Sequence, residues 1–203
     1  MSGCGTARRT GFVCRAMAAG IALAAASGSA YPAGDAGRGQ AKTESCAACH
    51  GTPQRPPLAG MPTLAGQVAP FLELQLIMMR EGLREVPQMA ELMKGLTDAD
   101  ISDIAAYYAR QTPPKISAKR DPARYGRGAV LAKAMICDNC HGEDFRGQKH
   151  LPRLAGQRED YLVASLKSYR ANKRTGIDTS MNELMYRVPD SDIEALAHFL
   201  AHQ

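Results

Sequence analysis

The sequence predicts an all-α protein built from two tandem copies of one small unit joined by an extended linker. Three observations predict this. Apolar residues recur at helical spacing in matching places of the two halves, two short motifs each occur twice, and no stretch alternates persistently enough for a strand. The repeated motifs are C-x-x-C-H (Cys46 to His50 and Cys137 to His141, 91 residues apart) and Pro-x-Leu-Ala-Gly-Gln (Pro62 to Gln67 and Pro152 to Gln157, 90 apart). A chance likeness of two alanine-rich helices would not repeat these blocks in the same order.

Residues 1–30 are set apart as an export signal. Arg8, Arg9 and Arg15 precede an uncharged run from Ala16 to Ala30 that closes on Gly28-Ser29-Ala30. The run is shorter than the roughly 20 residues a spanning helix needs. Cleavage near Ala30 leaves 173 residues and removes Cys4 and Cys14, so the remaining four cysteines all belong to the C-x-x-C-H motifs.

The first unit, residues 31–111, opens with a helix over roughly Arg38 to Cys49. A loop rich in breakers follows, from Gly51 to Gly66, with Pro53, Pro56, Pro57, Gly60 and Pro62. Val68, Phe71, Leu72, Leu76 and Met79 mark a second helix, and a methionine-bearing loop comes next. Thr97-Asp98-Ala99-Asp100 then caps a closing helix whose apolar stripe is Ile101, Ile104, Ala105 and Tyr108. Residues 112–124, with Pro113-Pro114 and four basic residues against Asp121, read as the linker. The second unit, 125–203, repeats the pattern with Tyr161, Leu162, Leu166 and Tyr169, then with Ile193, Leu196, Ala197 and Leu200 on the closing helix. Each unit has only about 80 residues, marginal for a core of side chains alone.

C-x-x-C-H is the attachment pattern of a c-type haem. Cysteines three apart lie on one side of a helical turn and can each take a thioether bond. The histidine directly after them then falls beneath the ring and can ligate the iron. C-x-x-C alone also serves thiol redox and zinc chemistry, and a secreted scaffold could pair four cysteines. Neither explains a His after both motifs. Two covalently bound haems are therefore expected, on Cys46, Cys49, His50 and on Cys137, Cys140, His141.

Before the linker the exported chain contains one histidine, His50, so the sixth ligand of the first unit falls to methionine, which raises the haem potential. Met78 and Met79 lie within the second helix and read as core. Met61, Met89 and Met93 remain, and the last two have counterparts 92 residues on in Met181 and Met185. In the second unit, His198 and His202 read as a solvent-exposed helix end, and His150 follows its motif too closely to compete.

Taken together, C-x-x-C-H-G, Pro-x-Leu-Ala-Gly-Gln, Met and Leu-Thr-Asp-x-Asp-Ile resemble the dihaem cytochromes of the c4 type, over the whole exported chain. The resemblance implies two cytochrome c-like haem domains related by a pseudo-twofold axis. It places the ligating Met seven residues before the Leu that precedes the closing helix. Met89 stands seven before Leu96, and Met181 seven before Val188. It further implies that the carbonyls of Pro62 and Pro152 accept the ring N–H of the proximal histidines. Val188-Pro189 departs from the Leu96-Thr97 of the first unit.

The expected function is a periplasmic electron carrier, moving single electrons from a respiratory donor to an acceptor such as a terminal oxidase. The alternative is the electron-transfer subunit of a periplasmic dehydrogenase, of the flavin sulfide or alcohol dehydrogenase type. Expected partners are thus redox proteins: a membrane oxidase, a quinol-oxidising complex or a dehydrogenase subunit. No basic run interleaved with aromatics points to nucleic acid, and no run after the signal reaches membrane-spanning length, so the exported form is soluble or held at a membrane surface. The first unit carries seven Lys/Arg against nine Asp/Glu and the second eleven against ten, with Lys167, Arg170, Lys173 and Arg174 as a local basic patch that could orient docking.

Overall fold

In each repeat an N-terminal helix crosses the closing helix, and a glycine makes the crossing possible. The computed structural model describes residues 34–114, 118–174 and 176–203; the expected export signal lies outside them. Among the described residues the first repeat has α1 (Ala36–Ala41), α2 (Glu44–His50), α3 (Ala69–Arg80), α4 (Pro87–Met93) and α5 (Asp98–Ala109). The second has α6 (Pro122–Ala134), α7 (Cys137–His141), α8 (Glu159–Arg170), α9 (Ser180–Met185) and α10 (Asp190–Ala201), with a 3-10 turn at Glu143–Phe145. The only strand-like pairings there are isolated bridges between Thr52 and Arg55 and between Gln148 and Leu151. The all-α expectation holds.

A β-carbon on Gly39 would run into the Asp103 carbonyl of α5, and one on Gly128 into the Ala195 carbonyl of α10. Only glycine lets these backbones approach so closely. The closing stripes bury as the periodicity demands: Ile101, Ile104, Ala105 and Tyr108 on α5, and Ile193, Leu196, Ala197 and Leu200 on α10, are all at most 4% exposed. On α5, Asp103 is buried too. It accepts from the Asp35 N–H (2.7 Å), Arg38 (2.8 and 2.9 Å) and Lys42 (2.9 Å), which ties α1 to α5 by charge as well as by packing. The Arg38 hydrogen bond, then those from Asp35 and Lys42, hold its carboxyl far below the usual range.

Four sequence expectations are corrected. The first helix is not continuous. It breaks at Lys42-Thr43, where the buried Thr43 hydroxyl donates to the Gln40 carbonyl (2.9 Å) and closes α1. In the second repeat the matching break holds Ile136 in the left-handed region (φ 47°), at a cost of about 1–2 kcal/mol for a residue with a β-carbon. The methionine-bearing loops contain the short helices α4 and α9, with Pro87 pre-set at the start of α4. Pro122 to Arg124, expected as linker, form the first turn of α6, capped by the Asp121 carboxylate on the N–H groups of Ala123 and Arg124. Last, His198 is not an exposed helix end but is 3% exposed. Its Nε2 accepts from the Asp121 N–H (2.9 Å) and its Nδ1 donates to Glu159 (2.8 Å), so it fastens the end of the linker to α8 and α10.

From Gly34 onward the two repeats pack as one body. Asp160 accepts from the Gly60 N–H (2.9 Å) and Arg158 donates to the Pro57 carbonyl (3.2 Å) at the rim. Nearer the centre, Gln67 and Gln157 reach into the opposite repeat.

Candidate functional site

Both C-x-x-C-H motifs end a helix, and the following glycine turns the chain back. Gly51 (φ 76°) and Gly142 (φ 79°) adopt a left-handed conformation that residues with a β-carbon rarely hold. The returning loop then carries Pro62 and Pro152 to the histidines. His50 Nδ1 lies 2.9 Å from the Pro62 carbonyl, and His141 Nδ1 lies 2.9 Å from the Pro152 carbonyl.

A carbonyl only accepts, so each Nδ1 carries the proton and donates it. Burial lowers the pKa of both rings, outweighing the upward pull of the proline carbonyl, so both are neutral near neutral pH. Each Nε2 then holds a free lone pair. In His50 that nitrogen is buried and makes no hydrogen bond, an expense a protein avoids unless a ligand meets it.

The four motif cysteines are free thiols. Cys46 and Cys137 are partly buried, Cys49 and Cys140 exposed, and none is disulfide-bonded. Burial pushes the Cys46 thiol up and takes Cys137 to about 11. A reactive C-x-x-C redox pair lowers the pKa of a thiol, the opposite of the direction at Cys46 and Cys137. Cys46 packs against the cluster of Leu72, Ile104, Ala105 and Tyr108, and Cys137 against that of Leu162, Leu166, Met185 and Leu196.

Met89 and Met181 sit half-buried near the starts of α4 and α9. Met93 and Met185 end the same helices and are 3% and 1% exposed. Met61 is half-buried in the loop before Pro62, and Met78 is buried on α3 as expected.

A half-buried cationic pair at the interface of the two repeats, beside α3 and α8, was not foreseen from the sequence. Arg84 donates to Gln75 (2.5 Å), and Arg174 donates to Ser165 (3.0 Å) and Tyr161 (3.3 Å) and reaches Gln75 across the interface (3.5 Å). These partners are all neutral, and Arg174 Nε is buried without any. Burial and the neighbouring Arg174 lower the Arg84 pKa. Burial would raise the Tyr161 phenol, but Arg174 and Arg84 outweigh it and bring it to about 8. Such an excess of half-buried positive charge suits an anionic group. The basic patch read from the sequence is dispersed accordingly: Arg174 points inward, while Lys167 and Arg170 both pair with Asp190 at 2.6 Å.

Free Nε2 atoms, thiols three residues apart and half-buried guanidiniums together fit a porphyrin with its two carboxylates in each repeat. Comparison with known proteins agrees. The cytochrome c family model matches residues 35–110 and again 125–203. Cytochrome c4 of Pseudomonas aeruginosa is 34% identical over 182 residues, covering 85% of this chain and 90% of that protein. The thiosulfate dehydrogenase electron acceptor of Thiomonas intermedia is 31% identical, covering 78% of each chain. The crystal structure of reduced cytochrome c4 from Pseudomonas stutzeri superposes with a TM-score of 0.74 at 31% identity, over 83% of this chain and 98% of that one. The chain therefore belongs to the cytochrome c family as a tandem member of the c4 type, an electron carrier with two covalently bound haem c groups.

Proposed function

We propose that Cys46 and Cys49 attach one haem, ligated by His50 and Met89, and that Cys137 and Cys140 attach the other, ligated by His141 and Met181. The observation that carries this reading is the paired Nδ1-to-proline bond, which leaves each Nε2 free to bind metal in a fixed orientation. The bound iron supplies a reversible one-electron store. The protein's part is to hold both faces closed, so that electrons pass and no substrate binds. Met93 and Met185 are committed to packing in the interior, which favours Met89 and Met181 as the thioether ligands. Arg84 and Arg174 would face the porphyrin carboxylates.

On this reading the chain shuttles single electrons in the periplasm between a respiratory donor and an acceptor such as a terminal oxidase. Export fits the segment before Ala30, and among the described residues no helix is long and apolar enough to cross a membrane. The Thiomonas relative is named as the electron acceptor of a thiosulfate dehydrogenase, which supports a second reading as the carrier subunit of a dehydrogenase. Co-purification from the native cell separates the two: a stoichiometric catalytic partner supports the second, and a free carrier the first.

The ligand set is tested by redox titration and absorption spectra of Met89→Ala and Met181→Ala. Each should abolish the His/Met signature of one haem and lower that haem's potential, leaving the other unchanged. A variant in which both haem spectra stay as in the wild type overturns the assignment for that site.

A further inference from the structure

The two glutamines of the repeated Leu-Ala-Gly-Gln block do something their own repeat does not use. Gln157 Oε1 accepts the Thr63 N–H (2.8 Å) while its Nε2 donates to the Thr63 carbonyl (2.9 Å). Symmetrically, Gln67 Oε1 accepts the Arg153 N–H (2.6 Å) and its Nε2 donates to the Arg153 carbonyl (3.0 Å). Each Oε1 also accepts the N–H of the next residue in its own chain, Val68 or Arg158, at 2.9 Å. This network fixes the orientation of both carboxamides, and Gln67, Gln157 and Thr63 are at most 7% exposed.

The peptide group each glutamine grips is decisive. Thr63 follows Pro62, so the Pro62 carbonyl and the Thr63 N–H are two ends of one planar amide. His50 Nδ1–H donates to one end, and the other end donates to Gln157 of the opposite repeat. The same chain runs from His141 through the Pro152–Arg153 amide to Gln67. Hydrogen bonds in series polarise one another. An amide whose N–H is held by an acceptor carries more negative charge on its oxygen, grips the imidazole N–H harder and makes Nε2 a stronger donor. A stronger donor favours ferric iron and lowers the potential.

From this geometry we infer that Gln157 is a positioning and tuning residue for the haem of the first repeat, and Gln67 for that of the second. Each repeat sets the proximal ligand of the other. The inference rests on His50 and His141 being the proximal ligands.

The test uses the full haem-loaded chain and the variants Gln157→Met and Gln67→Met, which keep side-chain length and remove the carboxamide. An NMR-monitored redox titration resolves the midpoint of each haem. Gln157→Met should raise the midpoint of the His50 haem and move the His50 Nδ1–H resonance, with the His141 haem unchanged; Gln67→Met should do the converse. Asp160→Ala, which loosens the same interface at the Gly60 N–H without touching either amide, should give no such selective shift. Equal shifts at both haems, a shift confined to the mutated repeat, or the same pattern in Asp160→Ala would each overturn the inference. Absence of a hyperfine-shifted Nδ1–H from His50 or His141 in the wild type would instead sink the ligand assignment itself.

Discussion

Gly126 and Gly128 lie two residues apart in the same helix, yet alanine should act on them in opposite directions. In a helix interior, replacing glycine by alanine stabilises by about 1 kcal/mol, through lost freedom of the unfolded chain and better helix propensity. At Gly126 a β-carbon would meet nothing within 4 Å, so Gly126→Ala should collect most of that gain. At Gly128 the new carbon would strike the Ala195 carbonyl and the Phe199 Cβ, both fixed parts of α10. Overpacking of this kind costs about 1–3 kcal/mol or more when the neighbours cannot rotate away, and a backbone carbonyl cannot. The clash offsets or outweighs the propensity gain, leaving Gly128→Ala destabilised by up to about 2 kcal/mol, and more if α6 and α10 separate. Since both share the propensity gain, the two variants should differ by the clash alone, about 1–3 kcal/mol, or about 2–12 °C in Tm for a chain of this size. Thermal and guanidinium unfolding of the haem-loaded protein, followed by far-ultraviolet circular dichroism, measure this. Equal stability of the two variants would refute the claim that a glycine sets the distance between these helices.

Two further predictions concern charge. Because Arg38, the Asp35 N–H and Lys42 depress the Asp103 pKa, the ionised carboxylate stabilises the fold fully above the unfolded value of about 4, and that contribution fades as pH falls below it. Asp100 adds to the same trend, with a pKa lowered to about 2 chiefly by Lys42 and Thr97. Asp103→Asn should therefore be less stable at neutral pH and flatter in its acid response, read from urea melts between about pH 7 and 2; an unchanged acid profile would count against the ion-paired carboxylate. Arg174→Met should lower the midpoint of at least one haem, since loss of a buried cation favours the more positively charged ferric state. Titrated midpoints identical to wild type would show that Arg174 does not sense the iron.

Much of the proposed site was legible because the thioether attachment and proximal ligation it calls for are local: five consecutive residues offer two sulfurs and a nitrogen. Repetition made the fold legible as well, since the stripes on α5 and α10 follow a period that depends only on the helix they belong to. The short helices α4 and α9 were read as loops because seven- and six-residue segments cannot hold a helix by propensity alone; their neighbours hold them. His198 was misread for a related reason. A polar side chain at a helix end looks solvent-facing until Asp121 and Glu159, distant in sequence, satisfy both its nitrogens.

What the sequence by itself determined is the chemistry and its multiplicity: two haems, two units, helices throughout, because each of those rests on residues within a turn or two of one another. What only the tertiary structure decided is how the units address each other. In the sequence Gln67 and Gln157 stand out only as part of a repeated block, and Arg174 only as one member of a basic patch. The groups that Gln67, Gln157 and Arg174 reach across the interface lie 86 to 99 residues away, and hydrogen bonds of that span exist only after the chain has closed on itself.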